Sequence, residues 1–170
     1  LELAFNTKNF NVFKSVFTSI YPDSNKQIEV IKAKNYLVRA AETHYEKFSV
    51  RMINEFFSQT PIDAHFLQKV DQTGRNVLHY IVLNRYSELF NTLFSHIWTK
   101  TCKGERQAFV SAIEPLINKR SKGDVNQNKT DQEEFEDIEE VAWPLHALTP
   151  VEYAFHAKFY ELISLIEELS

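Results

Sequence analysis

Three glycines, five prolines and one cysteine are all that this 170-residue chain carries of the residues that make tight turns and cross-links. Sandwiches and barrels need many tight turns, so the shortage of Gly and Pro points to helices. The single cysteine, Cys102, excludes an intramolecular disulfide and a cysteine-based zinc site. A reduced thiol in a cytosolic compartment is the expectation. No apolar run approaches the roughly 18 residues that span a bilayer, so no membrane span is expected. A basic excess is missing as well. The formal net charge of -4 argues against a general phosphate-backbone binder, and no nucleic-acid partner is expected. The chain opens LELAFNTK without Met, from which we expect a piece of something longer; the missing signal peptide then carries no information.

What is present suits a folded domain. Hydrophobic residues make up 44% and charged residues 25%, ordinary values for such a chain. Aromatics reach 14%, with fourteen Phe, enough for a substantial core. The length suits one medium domain or a short repeat array.

Taken in order, Leu1–Phe17 predicts two short helices, striped by Leu1, Ala4 and Phe5 and then by Val12, Phe13, Val16 and Phe17. The polar break at Asn6–Asn9 suits a helix end. Tyr21–Asn25 reads as a loop. From Gln27 to Phe57 the helical spacing returns, with Ile28, Ile31, Leu37, Ala40 and Ala41 followed by Phe48, Met52, Ile53, Phe56 and Phe57. One break is expected in it, near His44–Tyr45. Ser58–Val70 is a loop with a short turn of helix over Ile62–Leu67. Asp71–Phe94 combines a polar turn with two short helices that break near Asn84–Tyr86. Glu105–Arg120 predicts a helix that Pro115 kinks or restarts. Ser121–Glu140 holds eight acidic residues and reads as a solvated loop.

An internal repeat turns these pieces into an architecture. Aligning Leu1, Leu78 and Val151 needs no gap for seventeen positions. Three residues on stand Ala4, Ile81 and Ala154, and four on stand Phe5, Val82 and Phe155. Twelve on stand Phe13, Phe90 and Ile163, and fifteen on stand Val16, Leu93 and Ile166. A fourth copy begins at Leu37, with Ala40 and Ala41 on its first helix. Its second helix is expected to carry an insertion of about four residues, one turn, that puts Ile53, Phe56 and Phe57 on the stripe.

Asp71, Gly74, Leu78 and His79, with Thr149-Pro150-Val151-Glu152-Tyr153-Ala154, resemble the ankyrin family, whose repeat of about 33 residues carries T-P-L-H-x-A. Asn76-Val77 replaces Thr-Pro in one copy and Ile81 replaces Ala, while Asn9, Tyr86 and Phe159 stand where the family usually has Gly. The resemblance implies an all-α, ankyrin-like solenoid of stacked helix-turn-helix repeats over residues 1–170. The copies lie near 1–17, 37–57, 71–97 and 146–169, with a helical and acidic-loop insertion at about 100–142.

Candidate chemistry is thin. None of the six histidines forms H-E-x-x-H, and no Gly-rich phosphate loop occurs. His146, Glu152 and His156 are close in sequence, but the repeat puts them at different heights, so no metal and no cofactor is expected. Cys102 with a distant His draws no support from its flanks KTCKGER. His79 falls at the family's turn-linking position, which implies backbone hydrogen bonding and no catalysis. The resemblance instead implies a surface built from inner-helix positions and loop tips. Those positions hold Arg39, Glu42, Tyr80, Leu83, Tyr153 and His156, with Asp63, His65, Gln68 and Lys69 in the loop. Two Tyr and an Arg have the composition of a binding hot spot, and tyrosines that cap the core are the alternative. The expected function is a non-catalytic protein-binding module. Divergent repeats rich in Asn, Lys, Phe and Tyr resemble ankyrin proteins that intracellular bacterial pathogens deliver into host cytoplasm, which implies a host protein as partner. A repeat region that positions substrate for a catalytic domain elsewhere, and a plain helical scaffold, are the competing readings.

Overall fold

A computed structural model of the chain describes residues 1–43, 45–122 and 148–170. Among these residues all regular structure is helical: α1 (Glu2–Asn6), α2 (Phe10–Ile20), α3 (Ser24–Ala33), α4 (Tyr36–Thr43), α5 (Glu46–Phe56), α6 (Ala64–Leu67), α7 (Val77–Leu83), α8 (Ser87–His96), α9 (Arg106–Ile117), α10 (Pro150–Ala157) and α11 (Tyr160–Leu169). A π-turn over Ile97–Thr101 extends α8. No described helix is long and apolar enough to cross a membrane.

α4 ends at Thr43 and α5 starts at Glu46, on either side of the one break expected, and a second break at Lys34–Asn35 separates α3 from α4. Asn35 takes the left-handed conformation, φ 53°, which a short polar side chain tolerates better than most. Asn35 Nδ2 also donates to Val70 O at 3.2 Å, so the corner is tied to a distant loop. Pro115 does not restart α9, which runs through it to Ile117. The acidic run from Asp124 to Glu140, together with His146, lies outside the described residues.

Four helix pairs share one register. With Leu1, Leu37, Leu78 and Val151 as position 0, position +8 is Asn9, Tyr45, Tyr86 and Phe159, the N-cap of the second helix in each pair. The second pair therefore needs no insertion. Phe48 takes position +11, Met52 position +15 and Ile53 position +16, all buried. The expected extra turn came from Ser49, a buried polar residue at +12 where the other copies carry Phe or Ile. Position +7 is left-handed in three copies: Lys8 at φ 57°, Arg85 at 55° and Lys158 at 54°. So the chain reverses one residue before Asn9, Tyr86 and Phe159, the positions where glycine is expected. In each copy the +7 amide donates to the +4 carbonyl: Lys8 to Phe5 at 3.2 Å, Arg85 to Val82 at 3.2 Å and Lys158 to Phe155 at 3.4 Å.

Helix caps repeat as well. Asn76 and His79 form a capping box at the start of α7, and Thr149 and Glu152 form the same box at the start of α10. Each pairs an N-cap side chain with a third-position side chain that reaches back, which satisfies two orphan amides at once.

Successive pairs lie against one another. First helices meet in the order α4–α7–α10, and α5 meets α8. α1 joins α4 through Glu2, which accepts from Tyr36 and Arg39 at 2.8 Å each. α2 joins α5 through Lys14 to Glu55 at 2.5 Å and Arg51 to Asn11 at 2.9 Å. Between these first two pairs lies an aromatic cluster of Phe5, Phe10, Phe13, Phe17, Tyr36, Phe48 and Phe56. Position +3 holds Ala4, Ala40, Ile81 and Ala154, all buried, and in three of the four copies the side chain is a small Ala.

α9 reaches from α8 to α11. Phe109 packs edge-on against Trp98 at 5.3 Å and Phe94 at 6.3 Å, while Arg106 donates to the carbonyls of Glu168 and Leu169. Ser121 and Leu148 are hydrogen-bonded to each other, so residues 121 and 148 meet in space.

Candidate functional site

The candidate residues come from positions +2 and +5 of the first helices, and the turn Asp71–Gly74 sits beside them. Asp71 builds that turn. Its Oδ1 accepts from the Thr73 amide at 2.8 Å, the Thr73 hydroxyl at 2.7 Å and the Arg75 amide at 3.1 Å. Gly74 closes it at φ 75°, a conformation that costs glycine little. Asp71 Oδ2 takes the hydroxyl of Tyr80. Burial would raise the Asp71 carboxyl, but the bonds from Tyr80, Thr73 and the two amides outweigh it and hold it below the usual carboxylate range. Burial and that carboxylate together push the Tyr80 phenol up.

Arg39 stands across from the turn on α4. Its guanidinium lies 4.8 Å from the Phe5 ring and 5.1 Å from the Tyr36 ring, and it pairs with Glu2. The Arg39 bond, working against partial burial, holds the Glu2 carboxyl low. Glu42, one turn on and exposed, is raised by desolvation and then by the Asp71 charge, with a bond from Tyr80 opposing. Arg75 Nη2 reaches the Tyr153 hydroxyl at 3.4 Å. Burial disfavours its charge, but bonds with the Tyr153 and Tyr80 hydroxyls more than compensate.

Four of the six candidate residues, Arg39, Glu42, Tyr80 and Tyr153, thus belong to one polar network along this face. Its other members, Glu2, Asp71 and Arg75, escaped the sequence reading as site residues. The signal was there in Asp71 with Thr73 and Arg75 two and four residues on, the spacing of a carboxylate that gathers its own turn's donors. Tyr80 and Tyr153 are only 6% and 2% exposed, so they are core residues with their hydroxyls at the network's edge. Leu83 is half-buried against the core, and His156 is exposed. Neither joins the network among the described residues.

A cleft of about 340 Å³ opens beside the network, lined by Asn35, Arg39, Glu42, Asp71, Gln72 and Thr73. Glu2 pairs with Arg39, and the Arg75 guanidinium acts on Glu42 as well, so of the two carboxylates Glu42 and Asp71 one is left without a cation to offset it and the cleft stays negative. A larger groove of about 560 Å³ runs between α5 and α8, lined by short polar residues such as Asn54, Ser58, Asn91, Thr92 and Ser95. Nothing in the sequence reading pointed to it.

The remaining candidates have structural partners. His79 is fully buried: Nδ1 accepts from the Asn76 amide at 3.1 Å and Nε2 faces Leu148 O at 3.1 Å. These two bonds fix the tautomer with the proton on Nε2. Burial lowers its pKa to about 4, so it stays neutral. Glu152 accepts from the Thr149 amide at 2.7 Å and from Arg120 at 3.0 Å, and the described residues contain no group of three metal-ligand side chains. Cys102 is buried, which pushes its thiol up and away from nucleophilic character. Asp63 caps α6 and pairs with Lys32, and Lys69 donates to Lys32 O at 2.8 Å, while His65 and Gln68 are exposed.

No family model, no curated protein and no solved structure matches the chain.

Proposed function

We propose that the chain is a non-catalytic protein-binding module, an ankyrin-like solenoid whose partner meets the face that carries Arg39, Glu42 and the Asp71–Gly74 turn. The shared register of four helix pairs supports the solenoid: one cap position, one left-handed position and one order of helix contacts recur along the chain. The observation that carries the binding reading is the negative cleft at the junction of the second and third pairs. Its walls are an ordered turn and a rigid helix, so little is lost in ordering them on contact. Glu42 is exposed and Asp71 borders the opening, which suits a Lys or Arg side chain at the tip of a partner's loop. Surface pairs of this kind add only about 0.2–1 kcal/mol each, so they select a partner more than they hold it.

The test is capture from cell lysate by the immobilised chain, with Glu42→Arg and Tyr80→Phe compared against Lys47→Glu on an exposed site of α5. Specific capture should fall with Glu42→Arg, and it should weaken as salt rises. Tyr80→Phe keeps the buried ring but releases Asp71 Oδ2. Capture that is indifferent to Glu42→Arg would remove the cleft from the binding face.

A further inference from the structure

Two carboxylates, Glu42 and Asp71, share the cleft between α4 and the Asp71–Gly74 turn, and their hydrogen bonding is unequal. Asp71 has four donors. The Thr73 amide, the Thr73 hydroxyl and the Arg75 amide meet Oδ1, and the Tyr80 hydroxyl meets Oδ2. Three of the four come from the turn and its flank, so the charge of Asp71 is part of how the turn is built. Among the described residues Glu42 is met by one donor, the Tyr80 hydroxyl, and that hydroxyl already bonds to Asp71.

The nearby cations are engaged elsewhere. Arg39, on the same helix, pairs with Glu2, and Arg75 reaches the Tyr153 hydroxyl at 3.4 Å. Both pull the Glu42 carboxyl down, but desolvation and the Asp71 charge raise it by more. Of two like charges in one site, the one with fewer donors takes a proton first. Asn35 adds a further acceptor to the cleft lining, because its covered Oδ1 has no donor. The cleft is therefore short of both positive charge and hydrogen-bond donors, which a protonated amine supplies together.

We propose that Glu42 is a proton-operated release for the cationic side chain that the cleft binds: in mild acid it takes a proton, the cleft loses its net charge, and Asp71 keeps its own charge and its turn. The inference rests on the reading of this cleft as a binding face. Proton and cation compete for one carboxylate, so the linkage runs both ways. Acid weakens the grip on the cation, and a bound cation keeps Glu42 ionised to lower pH. The other groups that face Glu42 hold their state. Burial and the Asp71 carboxylate push the Tyr80 phenol up, the two guanidiniums are raised, and Asp71 is held below the usual carboxylate range. As the pH falls from neutrality, Glu42 is the first group of the cleft to change charge.

Two measurements on the 170-residue chain test this, with circular dichroism confirming at each pH that the helix is kept. Carboxyl-carbon NMR should find Glu42 half-protonated at a higher pH than a glutamate in a short peptide, with Asp71 still ionised there. Asp71→Asn keeps an oxygen for the Thr73 and Arg75 amides and should bring the Glu42 midpoint down. Fluorescence anisotropy of labelled tetralysine, whose ammonium groups stay charged throughout, then measures the grip. At pH 7 the unaltered chain should bind this probe about two- to fivefold more tightly than Glu42→Gln, the range expected of one exposed charge pair. The ratio should fall to one as Glu42 takes its proton. A Glu42 midpoint at or below the peptide value overturns the proposal, as does a ratio already at one at pH 7. A ratio above one that stays constant across the titration also overturns it, yet leaves the cleft as a cation-binding face, so the two readings fail separately.

Discussion

His79 should make the protein lose stability between pH 6.5 and 4, and a glutamine in its place should remove most of that loss. An unfolded imidazole binds its proton near pH 6.5, whereas the buried ring of His79 resists protonation until about 4. The folded-state pKa is the lower one, so the stability is fully present above 6.5 and drains away as the pH falls towards 4. The gap between 6.5 and about 4 corresponds to roughly 3 kcal/mol in full, of which about 2.5 kcal/mol is gone by pH 4.5. His79→Gln can keep both bonds, accepting from the Asn76 amide and donating to Leu148 O, as Gln does at the third position of a capping box. It gives up the ring contact with Tyr153, which costs about 1 kcal/mol at pH 7. The two stability curves should therefore cross, with the variant less stable at pH 7 and more stable at pH 4.5. Urea unfolding followed by circular dichroism at steps of half a pH unit measures both. His96, whose pKa burial also lowers, adds a slope of the same sign to both proteins and cancels in the difference. The carboxylates held low, Asp71 among them, lose their contribution only as pH falls below their ordinary range. Parallel curves from pH 7 to 4.5 would refute a neutral, buried His79.

Two further substitutions probe the register and the core. Phe13 is fully buried among Phe5, Phe17, Tyr36, Phe48 and Phe56, so Phe13→Ala should cost about 3–5 kcal/mol of unfolding free energy in urea; a loss under 1 kcal/mol would mean that the first two pairs are not joined there. Arg85 is exposed and left-handed at φ 55°, so Arg85→Gly should raise stability by up to about 1 kcal/mol in the same assay, where a glycine inside a regular helix would lower it.

Apolar spacing alone made the helices legible, since an apolar stripe and a polar break are local and both survive folding. Asn9, Tyr86 and Phe159 could be matched to one another from sequence because each follows a stripe ending at +4 and precedes one beginning at +11. Tyr45 could not, because Ser49 removes the apolar residue at +12 that would have fixed the frame. Lys34–Asn35 was hidden for a related reason. Neither Gly nor Pro marks the corner, and the bond from Asn35 to Val70 crosses to another part of the chain.

Burial of the tyrosines was the harder matter, and it shows what residue type cannot decide. Position +2 carries Leu3, Arg39, Tyr80 and Tyr153, and composition would put the leucine inside and the tyrosines at the surface. The structure does the reverse, leaving Leu3 at 85% exposed while Tyr80 and Tyr153 are covered. What differs is the neighbour: the third and fourth copies have a pair before them, and among the described residues the first has none. Exposure in a stacked chain is set by the number of neighbouring pairs, because each pair buries only the faces that meet another. The Arg39 network follows the same rule. Glu2 comes from the pair before it and Asp71 from the turn after it, so the charge of the cleft belongs to no single repeat. A Leu3→Tyr substitution isolates the point: it restores the residue type found in the third and fourth copies, and the new ring should stay solvent-exposed by fluorescence quenching in the monomer.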